Sequence, residues 1–120
     1  MTIVYRFKPE TEFYTDERCH IVEIQNDESP DCSVARARVE PGVTTRRHAL
    51  RDSTERYVIL TGEGMVQIGD DAPIAVGPFD IVKIPPGTSQ RITNTGSADL
   101  VFLCICTPPF RQDRYIDLEK

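Results

Sequence analysis

Turn and breaker residues recur at short intervals along this chain: Pro30, Pro41–Gly42, Gly62, Gly64, Gly69, Pro73, Gly77–Pro78, Pro85–Pro86–Gly87, Gly96 and Pro108–Pro109. Between them lie short stretches rich in Val, Ile, Tyr, Phe and Thr. Branched and aromatic side chains suit a pleated, half-buried surface, and close-set turns leave no room for long helices. No stretch holds a 3.6-residue apolar period over helical length. The pattern predicts an all-β sandwich or barrel.

Strands are expected near 19–25, 33–39, 56–61, 64–69, 74–76, 81–84, 89–94 and 100–106. Asp70–Asp71 reads as a hairpin turn. The segment 85–88 must turn, because two prolines remove two backbone donors and Gly87 can take positive φ. Residues 95–99 form another turn. The closing run RQDRYIDLEK is polar and is expected to lie on the surface or form a short helix, with Tyr115 as its anchor.

With 120 residues, the chain is read as one domain spanning 1–120. Its net charge of −5 and lack of a basic cluster argue against a nucleic-acid partner. The longest apolar run, residues 100–106, is too short to cross a bilayer, so no membrane partner is expected. The N-terminal residues show neither a long apolar region nor a small-residue cleavage pattern, which points to the cytoplasm. There the four cysteines, Cys19, Cys32, Cys104 and Cys106, are expected as free thiols. Cys104 and Cys106 share a strand face and are poorly placed to bridge each other.

Candidate chemistry gathers around His48. If 46–50 is extended, His48 and Leu50 point the same way. A turn over 51–54 can reset the phase and aim Glu55 at the same interior, with Tyr57 and Ile59 continuing its face. On a later strand Gln90, Ile92 and Asn94 share one face. Glu55 is either a ligand, an acid/base group, or a buried carboxylate paired with Arg46 or Arg47. His20 reads as a strand or edge residue. Arg36, Arg38, Arg46, Arg47 and Arg91 are either clamps for a carboxylate or phosphate or solvated outer-face residues.

The spacings resemble a known family. Pro41–Gly42, His48, Glu55 and Gly62 match the first motif of the cupin superfamily, over about 41–64. Asp80, Pro85, Gly87, Gln90 and Asn94 match the second, over about 79–94, with Phe79 where the family usually has Gly. Gln90-Arg91-Ile92 and residues 100–108 resemble a subgroup of small bacterial cupins. The resemblance implies a double-stranded β-helix, or jelly roll. It implies a divalent metal (iron, manganese, nickel or zinc) held by His48, Glu55 and Gln90. Leu50 stands in the place of a further histidine and cannot ligate, so the first shell is thin. Leu50, Tyr57, Ile59 and Ile92 are the expected pocket walls around a small-molecule ligand or substrate.

Two functions follow from the resemblance. One is a metal-dependent enzyme of dioxygenase, isomerase or lyase type, with Glu55 as the candidate acid or base. The other is a non-catalytic binding or structural cupin with a degenerate metal site. The family also implies a homodimer.

Overall fold

The computed structural model describes residues 2–119. Met1 and Lys120, the ends of the expected 1–120 domain, lie outside the described residues. The strands are β1 (Phe13–Tyr14), β2 (His20–Gln25), β3 (Ser33–Val39), β4 (His48–Leu50), β5 (Thr54–Thr61), β6 (Gly64–Ile68), β7 (Ile74–Val76), β8 (Ile81–Ile84), β9 (Gln90–Asn94), β10 (Leu100–Thr107) and β11 (Tyr115–Asp117). They form two antiparallel sheets, ordered β1-β2-β3-β10-β5-β8 and β11-β4-β9-β6-β7. The eight expected strands are all present, and the architecture is the expected all-β jelly roll. Only two 3-10 turns, Pro9–Thr11 and Gln112–Arg114, are helical among the described residues.

Alternation sets which side chains fill the space between the sheets. In β5, Glu55, Tyr57 and Ile59 are buried while Arg56, Val58 and Leu60 are half-buried. In β9, Gln90, Ile92 and Asn94 are buried and Arg91 and Thr93 are not. Val39, Ile59, Ile92 and Leu100 are fully sealed from water. Tyr57, Val66, Ile84 and Phe102 pack with them as one core. Burial of each such side chain stabilises the fold by about 1.5–3 kcal/mol. β10 lies between β3 and β5, hydrogen-bonded on both sides, which suits its nearly continuous apolar run.

Motif residues hold the turns. Gly87 takes φ +74 and donates its N–H to the Leu50 carbonyl, which ties the 85–88 turn to β4. Gly62 has φ +88, and a Cβ there would meet the Asp99 carbonyl oxygen at 2.8 Å. Asn94 donates Nδ2 to the carbonyls of Val39 and Ala98, and its Oδ1 accepts from the Gly96 N–H, closing the 95–99 turn. Phe79 adopts φ +70, a conformation that disfavours a residue with a Cβ.

The C-terminal run differs from its expectation of a surface stretch or short helix. After one 3-10 turn it becomes β11, whose Tyr115, Ile116 and Asp117 pair with Leu50, Ala49 and His48 of β4. The short strand β4 would otherwise be left at an open edge.

Candidate functional site

The two sheets carry the two halves of the site. β4 pairs with β9 through His48 and Gln90. Arg51 and Asp52 then turn the chain, with Asp52 at φ +61, and β5 continues in the facing sheet. The turn changes the phase, so Leu50 and Glu55 both line one cavity of about 900 Å³. In register beside Glu55 stand Cys106 on β10 and Ile84 on β8.

His48 is buried and held on several sides. Its Nδ1 lies 2.8 Å from the Arg46 carbonyl, an acceptor, so this nitrogen carries the hydrogen. The same Nδ1 lies 3.1 Å from Glu17 Oε2. Tyr115 stacks on the ring at 4.9 Å between centroids, with planes 16° apart. Nε2 is left as the position through which the ring can accept a proton or bind a ligand.

Glu55 is 7% exposed, and its Oε1 has no hydrogen-bond partner among the described residues. Burial raises its pKa to about 7. Nearby His48 pulls the value down, Gln90 and Cys104 pull it down further, and Glu17 pushes it up. The Gln90 amide thus acts on the carboxylate, although Nε2 completes no hydrogen bond. Neither Arg46 nor Arg47 neutralises Glu55. Arg46 pairs with Asp117 at 2.9 Å, and Arg47 reaches Asp70 at 3.3 Å.

Gln90 is turned by Tyr57, whose hydroxyl donates to Gln90 Oε1. That leaves Nε2, a donor, as the free end of the amide. Tyr57, Ile59 and Ile92 belong to the sealed core, while Leu50 lies on the cavity wall. His48 and Glu55 therefore offer metal-ligating atoms, and the Gln90 oxygen is shared with Tyr57. Among the described residues, no group of three or more His, Cys, Asp or Glu is placed to hold a metal ion. His48 and Glu55 are the charged or strongly basic donors, and the Gln90 oxygen, which accepts from Tyr57, keeps a second lone pair as a weaker third donor.

One site residue has no sequence signal. Glu17 sits in the polar turn TDERC and reaches His48 because its backbone carbonyl accepts the Arg46 N–H at 3.0 Å. Desolvation in the cavity wall raises its pKa, and His48 opposes this. The cavity thiols are held protonated: burial pushes Cys19 up to about 12 and raises Cys104 and Cys106 as well. All four cysteines are free.

The other expected groups have structural partners. His20 lies on β2 with Nε2 at 2.9 Å from Glu40. Arg36 and Arg38 both clamp Glu12 at 2.6 Å, and Arg91 bonds Gln67. These arginines grip partners on their own chain.

The family model of the cupin domain matches residues 35–106. The chain belongs to the cupin family. This cupin is 36% identical over 81 residues to an uncharacterised protein of Methanocaldococcus jannaschii, covering 68% of this chain and 64% of that one. It is 39% identical over 72 residues to the oxalate-binding protein of Thermotoga maritima, covering 59% of this chain and 58% of the relative. In each case the match spans less than two thirds of the relative's length. The fold of this cupin is also that of Pac13, a nucleoside dehydratase of Streptomyces, with TM-score 0.79 and 16% identity over 97% of this chain and 92% of that one.

Proposed function

We propose that this cupin binds a small organic molecule in the cavity between its sheets and moves a proton to or from it through Glu55. The observation that carries this reading is the Glu55 Oε1 atom: buried, unpartnered and on the cavity wall. A buried polar atom without a partner is costly, and a bound ligand that bonds to it removes that cost. A carboxyl with pKa about 7 supplies both acid and base near neutrality. His48, anchored through Nδ1, would orient the ligand or take up charge as the proton moves. The small-molecule ligands named for the oxalate-binding relative and for the nucleoside dehydratase support the class.

The test needs no known reaction. Small molecules that raise the melting temperature are incubated with the protein in deuterium oxide. Deuterium should enter a carbon-bound position of a bound carbon acid, and Glu55→Gln should abolish that exchange while leaving binding in place. Binders that map outside the cavity, or exchange as fast with Glu55→Gln, would overturn the reading.

A second reading keeps the divalent metal. The unpartnered Glu55 Oε1 and the Nδ1-anchored His48 favour it. With Gln90 engaged by Tyr57, oxygens of the bound molecule would complete the shell. Calorimetric titration with manganese, iron, nickel and zinc separates the readings. Stoichiometric binding that His48→Ala removes favours the metal, and its absence favours metal-free proton transfer.

The homodimer and the cytoplasmic location belong to the same proposal. Ile74 on β7, and Phe79 and Ile81 at β8, are 61%, 82% and 64% exposed at outer sheet edges. A second copy would cover that apolar surface. Light scattering should give twice the chain mass, and Ile81→Lys should halve it. The free thiols accord with a reducing compartment.

A further inference from the structure

The charge lining the cavity speaks to which small molecule it takes. Asp16, Glu17, Glu23, Glu55 and Asp117 all line it, against a single guanidinium, Arg46. Arg46 is already committed, since its Nε donates to Asp117 Oδ1 at 2.9 Å. Arg36 and Arg38 on β3 grip Glu12, and Arg18 and Arg47, which pair with Glu119 and Asp70, do not line the cavity. An anion entering the cavity would meet one guanidinium, already paired through Nε with Asp117, and the His48 imidazole, which faces Glu17. It would meet more carboxylates than cations, and like charges repel, most strongly at the buried Glu55 end of the cavity.

The same wall suits a cation. Glu17 presents a carboxylate whose side chain keeps 27% of its surface open. Deeper in the cavity is the unpartnered Oε1 of Glu55, more than nine-tenths buried. Aromatic rings complete the lining: Phe13, Phe110 and Tyr115. Ring faces attract ammonium groups, most strongly where water is excluded. Carboxylates together with aromatic rings are the chemistry by which proteins recognise amines.

We propose that the cavity selects a small cationic molecule, an amine or quaternary ammonium compound, in preference to an anion or a neutral polyol. This rests on the reading of the cavity as a small-molecule site, and it sets this cupin apart from its oxalate-binding relative. Glu17 is the charge that meets the cation, and the buried Glu55 oxygen accepts a hydrogen bond from an N–H.

The experiment compares four probes by calorimetry and by NMR shifts of cavity residues: putrescine, tetramethylammonium, oxalate and uridine. The two cations should bind in the cavity, more weakly as salt rises. Glu17→Gln should weaken them about tenfold, the loss expected when one partner of a partly desolvated charge pair is removed. Glu28→Gln, on an exposed loop, should leave them unchanged. Tyr115→Leu provides an independent check and should weaken tetramethylammonium. If oxalate or uridine occupies the cavity and neither cation does, the cation inference falls while the small-molecule reading stands. If no probe binds, the cation inference falls, and the small-molecule reading is decided by the deuterium-exchange experiment. Cation affinities unchanged by both Glu17→Gln and Tyr115→Leu would also overturn the inference.

Discussion

His48 Nδ1 and Glu17 Oε2 stand 3.1 Å apart, one on β4 and the other in the turn before β2. The pair bears on Glu55 with opposite signs: His48 favours its charged form and Glu17 its neutral form. The candidate acid/base group is therefore poised by two neighbours, of which only His48 belongs to the family motif.

The buried carboxylate should leave a mark on stability. Glu55 has its pKa raised from 4.5 to about 7, so the folded state holds a proton that the unfolded chain releases above 4.5. Stability then falls as pH rises through this window and is lowest above it, by an amount on the order of 3 kcal/mol. Glu17 is raised too and adds to the slope. Glu55→Gln, neutral at every pH, should flatten the loss of melting temperature between pH 5 and 8. Parallel curves for the variant and the native protein would contradict the assignment.

Tyr57→Phe removes the donor that Gln90 Oε1 accepts. Stranding a buried amide oxygen costs about 1–3 kcal/mol. Urea unfolding should show that loss. The double variant Tyr57→Phe with Gln90→Leu, which removes both partners, should recover part of it. Strict additivity of the two single changes would mean that the bond contributes nothing.

Phe79 occupies a position where the family usually has glycine, and its φ of +70 gives the physical reason for that preference. The side chain is 82% exposed, so little packing is lost on removing it. Phe79→Gly should stabilise the protein by about 1 kcal/mol through relief of backbone strain. A lower unfolding midpoint would contradict it and would mean that the entropy of the unfolded glycine chain outweighs the strain.

The strands were legible because alternation and turn chemistry act locally. The faces of β5 and β9, and the turn at 85–88, follow from a few adjacent residues. β11 was not legible: RQDRYIDLEK has little alternation, and it becomes a strand only because β4 offers an edge. Glu17 was hidden for the same reason, since a polar turn reveals nothing of the ring it meets in three dimensions. The Gln90 orientation was also out of reach. Spacing places Gln90 beside His48, but the distant Tyr57 decides which end of the amide is free.

We infer that Glu55 exchanges protons on the wall of a ligand cavity. Carbon-13 NMR of the Glu55 carboxyl across a pH titration tests it most directly. The expected midpoint lies near 7, lower in Glu17→Gln and higher in His48→Ala. A midpoint near 4.5, the ordinary value, unmoved by either substitution, would contradict it.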